Sequence, residues 1–192
     1  MRKKLIKVVV SCLSALLLVG TSSVDAQAIE LAKQKVGDVF KTDGGKFEVI
    51  KKTDIDEEKE TGPFKVKVNY IASLEAELTS ELTSFIKVGE SGLVSLIAVH
   101  MTIENTSDDK FAIYPDQSVL IANKKQMDAD MMLSADIGSE YYGNVEKEGI
   151  VYFIFDGDLS EVQELKMITK APHDSDYYSI GEDIEFELKF KE

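Results

Sequence analysis

Two histidines, one cysteine and 35 acidic side chains are the groups in this 192-residue chain from which catalysis or metal binding could be built. His100 and His173 lie far apart in the sequence. No Gly-x-Ser-x-Gly elbow, His-Glu-x-x-His helix or phosphate-cradling glycine loop accompanies them, so no nucleophile, base and orienting group form a constellation. A glycosidase-like carboxylate pair needs a fixed separation, and abundant acids supply many pairs without selecting one. The expectation is a protein that is not an enzyme.

Asp156-Gly157-Asp158 sets two carboxylates two positions apart, and Asp174-Ser175-Asp176 and Asp128-Ala129-Asp130 repeat the spacing. Oxygen ligands suit calcium, which makes Asp156 and Asp158 candidates for a weak site, but no run completes a twelve-residue loop closing on glutamate. Asp, Gly and Ser also close turns by hydrogen-bonding their own backbone. Under the turn reading, EGTA leaves thermal stability unchanged. No other cofactor is expected.

Tyr114-Pro115, Tyr141-Tyr142 and Tyr177-Tyr178 place rings in or beside loops. Rigid amphipathic rings favour contact surfaces, so these six residues are the candidate binding set; the alternative is that each ring covers the rim of the core with its hydroxyl in water. His100 falls on the polar-leaning side of a strand pattern and reads as a half-exposed strand residue or a pH-sensitive contact. Met127, Met131 and Met132 read as core filling.

The elements that must position these groups are mostly strands. Phe64, Val66, Val68 and Tyr70 alternate with Lys65, Lys67 and Asn69, and Ile184, Phe186, Leu188 and Phe190 alternate with Glu185, Glu187 and Lys189, as half-buried strands require. Residues 93–105 read as a long central strand, buried first on both sides and then on one. The turn-forming run 105–109 predicts a hairpin to residues 111–113. Further strands are expected at 46–50, 118–122, 150–155 and 164–169. Residues 71–87 repeat Leu74, Leu78, Leu82 and Phe85 at helical spacing, which predicts a short crossover helix, with a strand ending near Ala76 as the alternative. The charged run 51–62 reads as a solvated hairpin loop turning at Gly62-Pro63. Short strands with regular turns indicate an immunoglobulin-like antiparallel β-sandwich.

The chain opens with a basic Met1-Arg2-Lys3-Lys4, an apolar run over residues 8–20 and the small residues Ala26-Gln27-Ala28, the anatomy of a signal peptide over residues 1–28 with cleavage after Ala28. The apolar run is too short to span a bilayer, so no transmembrane segment is expected in the mature chain. Cys12 lies inside that run, with Val9 rather than leucine three positions before it, and a lipid anchor through it is not expected. Residues 29–35 read as a flexible lead and 36–192 as the sandwich domain. Removing residues 1–28 leaves 18 basic against 34 acidic residues and no thiol. A net charge of −16 on the mature chain argues against nucleic acid and anionic lipid, both of which need Lys and Arg to neutralise phosphate.

Several phrases carry a resemblance to a known group: Val36-Gly37-Asp38, the run from Val99 to Ser107 containing Glu104-Asn105-Thr106, and Tyr114-Pro115-Asp116-Gln117. Asp128-Ala129-Asp130-Met131, Gly143-Asn144-Val145 with the acidic run after it, and Ser179-Ile180-Gly181-Glu182 extend it. Together they resemble the DUF4352 group of secreted bacterial immunoglobulin-like domains and its DUF5068-like relatives, over about residues 35 to 190. The resemblance implies the sandwich and export; these are phrases of fold and carry no chemistry. The expected function is non-enzymatic interaction at or outside the bacterial cell envelope with an unidentified protein or wall component. A secreted inhibitor or immunity-type protein and a calcium-responsive envelope domain are the alternatives.

Overall fold

The computed structural model describes residues 30–84, 86, 92–134 and 137–191. The expected signal peptide, Cys12 and the expected cleavage after Ala28 lie outside the described residues. The described residues form eleven strands: β1 (Val39–Thr42), β2 (Gly45–Thr61), β3 (Phe64–Leu78), β4 (Val94–Asn105), β5 (Lys110–Ile113), β6 (Val119–Ala122), β7 (Lys125–Asp128), β8 (Ser139–Tyr142), β9 (Glu146–Ile154), β10 (Glu164–Thr169) and β11 (Ile184–Lys189). They build a five-stranded sheet in the order β1-β2-β3-β4-β9, a four-stranded sheet in the order β11-β10-β6-β7 and the pair β5-β8. All the pairings are antiparallel. The result is an all-β antiparallel sandwich of the immunoglobulin-like kind the sequence predicts.

One core lies between the sheets. Val66, Val68, Ile97, Val99, Met101 and Ile103 meet Leu120, Leu165, Met167, Phe186 and Leu188 there, all buried. The alternation in β10 and β11 supplies one wall of that core and leaves Glu164, Lys166, Glu185 and Glu187 outside. β4 is buried on both faces from Leu96 to Met101, and Thr102 and Glu104 beyond them are only half-buried, as its residue pattern predicts.

A second core lies on the outer face of the five-stranded sheet and gathers Phe40, Phe47, Tyr70, Leu74, Leu96 and Tyr152. Its lid includes residues 30–33, a helical turn whose Leu31 is fully buried. Full burial of a leucine is worth about 1.5–3 kcal/mol, enough to hold this part of the lead, read from sequence as flexible, against the sheet.

A bulge in β3 decides which of its side chains enter which core. Val68 pairs with Met101 and Tyr70 with His100, so Asn69 is an extra residue in the ladder. Side chains alternate with period two, and one added residue exchanges the faces. Phe64, Val66 and Val68 face the inter-sheet core, whereas Tyr70, Ala72, Leu74 and Ala76 face the outer one. Tyr70 therefore does not continue the face of Val66 and Val68.

Three sequence expectations are corrected. The helix over 71–87 is absent from its first half: β3 continues to Leu78, past the alternative end near Ala76, and among the described residues of the run only Ser80–Thr83 forms a helical turn, while Phe85 lies outside them. Leu74 and Leu78 fit a two-residue period with Ala72 and Ala76 as well as the helical one, and pairing on both sides with β2 and β4 decides between them. The charged run 51–62 is the body of β2, not a loop. Its charges face β3 partners of opposite sign, Glu58 opposite Lys67 and Glu60 opposite Lys65, while the turn does fall at Gly62-Pro63. Finally, β5 pairs with β8 and not with β4.

Candidate functional site

The loop between β10 and β11 carries His173, Tyr177 and Tyr178 and is held from three directions. At its base Asp183 accepts from the amide of Ala171 at 2.9 Å and pairs with Lys170 at 2.7 Å. The Lys170 ammonium, and next the Ala171 amide, hold the Asp183 carboxyl below the usual carboxylate range. On one side the His173 backbone exchanges two hydrogen bonds with Ala112 of β5, each 3.0 Å. Below, buried Thr61 at the β2–β3 tip donates its hydroxyl to the Glu182 carbonyl at 2.7 Å and accepts from the Glu182 amide at 2.9 Å.

The loop tip is an aspartate-built turn. Asp174 Oδ1 accepts from the amides of Asp176 and Tyr178, both at 2.9 Å. Tyr177 is thereby fixed at φ 64°, a left-handed conformation that costs a residue with a Cβ about 1–2 kcal/mol. The His173 ring stacks on Tyr114, with centroids 5.6 Å apart and 25° between planes, and meets Tyr177 at 5.0 Å and 32°. A cavity of about 190 Å³ opens here, lined by Lys110, Tyr114, Glu140, His173, Asp174 and Tyr177 among others.

The structure brings together part of the candidate aromatic set. Tyr114 and Tyr177 flank His173; Tyr177, Tyr178 and Tyr142 are 81%, 71% and 63% exposed. Tyr142 stands at the end of β8, where its hydroxyl donates to Glu140 at 3.0 Å and Lys110 sits 5.1 Å over its ring. The Lys110 ammonium, followed by the Tyr142 hydroxyl, holds the Glu140 carboxyl below its usual range. Two members fall elsewhere. Tyr141 is fully buried, edge-on to Phe64 at 5.3 Å with its hydroxyl donating to the Ile137 carbonyl, and Pro115 is buried at the start of a short 3₁₀ turn. Adjacent residues of a strand point to opposite faces, so β8 turns Tyr141 inward and Tyr142 outward. Sequence reasoning missed His173, whose signal was its place four residues before the Tyr177-Tyr178 pair.

One member of each aspartate pair, Asp130, Asp158 or Asp174, closes a turn with its carboxylate. Asp158 Oδ1 accepts from the Ser160 amide at 2.8 Å and caps a 3₁₀ turn, and hydrogen bonding from Ser160 holds its carboxyl below the usual range. The Asp156 carbonyl accepts from Lys125. Asp130 Oδ1 accepts from the amides of Met132 and Leu133 at 2.9 and 3.1 Å. Among the described residues no group of three or more His, Cys, Asp or Glu is placed to hold a metal. Met131 and Met132 are exposed on that turn and do not fill the core, whereas Met127 packs against it half-buried.

His100 is not half-exposed. It is 4% exposed on the outer face of the five-stranded sheet, with its ring stacked on Tyr70 at 4.5 Å and 9°. Asn69, the bulge residue, contacts Nδ1 at 3.0 Å and donates to Thr102 Oγ1 at 2.8 Å. Lys52 lies 4.5 Å over the Tyr70 ring and donates to the carbonyls of Leu31, Ala32 and Gln34 at 2.8, 2.8 and 3.1 Å. Burial, with Lys52 adding to it, lowers the His100 pKa to about 4. Burial also lowers that of Lys52 and raises those of Tyr70 and Tyr152. Neutral imidazole and a clamped N-terminal turn make this a structural network.

The class defined by fold and site is an acidic all-β sandwich with an aromatic end. Over 176 residues the chain is 24% identical to the SPbeta prophage-derived uncharacterized lipoprotein YonS of Bacillus subtilis strain 168, an alignment covering 89% of this chain and 80% of that protein. A functionally unknown protein from Listeria monocytogenes EGD-e superposes with a TM-score of 0.56 at 15% identity, covering 77% of this chain and 89% of that one. The ycdA protein of Bacillus subtilis superposes with a TM-score of 0.50 at 16% identity over 71% of this chain and 39% of that one. These structural likenesses show the fold. No protein-family model matches, so the resemblance to the DUF4352 group has no family match beside it. Among the described residues no helix is long and apolar enough to cross a membrane.

Proposed function

We propose that the chain is an exported, non-enzymatic binding domain of the bacterial cell envelope whose aromatic end contacts a partner protein or wall component. The observation that carries this reading is the His173 ring between Tyr114 and Tyr177 beside the exposed Tyr178 and Tyr142. Exposed aromatics on a pinned loop lose little conformational freedom on binding, the usual anchor of an interface. The likeness to a lipoprotein supports export and retention at the envelope. Cys12 is the one thiol available to a lipid.

Capture by residues 29–192 from secreted and envelope fractions of the parent cell tests the site, with a Tyr177→Ser/Tyr178→Ser variant as comparison. A saturable partner lost by the variant supports the reading; equal capture by both proteins overturns this end as the contact. An enzyme captured one-to-one and silenced would identify the inhibitor form of the same activity. Fractionation of wild type and Cys12→Ser separates lipid anchoring from free secretion.

A further inference from the structure

The chemistry of the aromatic end selects among ligands. Lys110 holds its ammonium 2.6 Å from Glu140 and 5.1 Å over the Tyr142 ring, so on this surface a cation already rests on a tyrosine face beside a carboxylate. The cavity that Lys110 and Glu140 line on one side offers the same ingredients on the other: the rings of Tyr114 and Tyr177, and the Asp174 carboxylate, which commits Oδ1 to two backbone amides and leaves Oδ2 to meet a ligand. Lys110 does not repel a newcomer strongly, because Glu140 neutralises it. A cation over an aromatic face is attracted by the ring quadrupole, more so where a carboxylate lies beside it. The charge of −16 on the mature chain brings cationic partners to this surface and turns anionic polymers away.

Resting on the reading of this end as the contact site, we propose that the cavity between Tyr114, His173 and Tyr177 receives a cationic side chain, lysine or arginine, from a basic segment of a protein partner. The turn geometry fits this role. Tyr177 occupies a left-handed position that glycine would fill without strain, and 81% of its surface is exposed. Strain held on an exposed aromatic residue puts the ring where a ligand can reach it.

The test uses residues 29–192 and two short peptides of identical sequence, one carrying a single arginine and the other citrulline, its uncharged isostere. Nuclear magnetic resonance follows His173, Tyr177 and the amides of residues 173–179. The arginine peptide is expected to shift these signals saturably, and the citrulline peptide to bind about tenfold more weakly. Asp174→Asn keeps a turn-forming acceptor but removes the charge, and is expected to weaken the arginine peptide about fivefold; Tyr177→Gly is expected to do the same while remaining folded. Equal binding of both peptides overturns the cation while leaving the aromatic end as a contact. Shifts spread over the acidic surface and indifferent to both variants overturn it as nonspecific attraction. Absence of shifts at millimolar peptide overturns it too, and the capture experiment still judges the site independently.

Discussion

His100 Nε2 stands 3.1 Å from Glu148 Oε1, and the two do not form an ion pair at neutral pH. Glu148 is 61% exposed and solvent screens it, whereas the imidazole is enclosed and faces Lys52. Burial and Lys52 therefore prevail over the carboxylate and keep the ring neutral. Asn69 Nδ2 can only donate, so Nδ1 accepts and the remaining proton lies on Nε2, pointing at Glu148.

This arrangement sets a pH dependence. The unfolded histidine titrates near 6.5 and the folded one near 4, so between those values the unfolded chain binds the extra proton. Stability contributed by neutral His100 is complete above pH 6.5 and is lost as pH falls towards 4. The difference between the two values amounts to about 3 kcal/mol once the ring is fully charged. Urea unfolding of wild type and His100→Gln across this range checks it, because carboxylate titration is common to both. Parallel pH profiles would refute the assignment.

Lys52 couples that histidine to the beginning of the domain. Its three hydrogen bonds satisfy carbonyls at the end of the 30–33 turn, which places a cation where exposed helix carbonyls are negative. Lys52→Met keeps an apolar stem over Tyr70 but removes the donors. With the ammonium only half-buried, the expected loss is about 1–2 kcal/mol. Amides near residue 34 should exchange faster, and the His100 pKa should rise because the neighbouring cation is gone. Hydrogen exchange and histidine titration by magnetic resonance measure both.

The parts of the fold that were legible in the sequence are those where the two-residue period runs unbroken. β10 spans 164–169 as expected, and β11 follows its Phe and Leu alternation to Lys189. Legibility failed where bulges interrupt the period, between Val49 and Lys51, Asp54 and Glu57, and Val68 and Tyr70. It also failed where charged residues form a strand because the partner strand, not a core, stabilises them. Of the site, the loop tyrosines were visible by type, but their convergence on His173 depends on the pairing of residues 112 and 173, which no local pattern encodes.

Asn105 is a buried polar residue whose bonds connect β4 to the aromatic end. Its Nδ2 donates to the carbonyls of Asp109 at 2.8 Å and Tyr141 at 3.2 Å, and its Oδ1 accepts from the Ser107 amide at 3.1 Å and hydroxyl at 2.8 Å. Alanine would leave the buried Tyr141 carbonyl without this donor and remove the turn's internal acceptor. The expected cost is about 2–4 kcal/mol, read as a lowered urea midpoint with an unchanged slope. Loss of under about 0.5 kcal/mol would show that water replaces the amide.

Tyr177→Gly separates stability from contact. The substitution removes the ring contact with His173 at 5.0 Å, but the ring is mostly exposed and little apolar burial is lost. It also relieves a left-handed conformation that costs a residue with a Cβ about 1–2 kcal/mol, against the added chain entropy of an unfolded glycine, about 0.5–1 kcal/mol. Relief equals or exceeds the cost, so the variant should unfold at the same temperature as wild type or a few degrees above it. If Tyr177 were held there by packing, the same variant would melt several degrees lower. Thermal unfolding of the two proteins side by side distinguishes a ring kept for contact from one kept for the core.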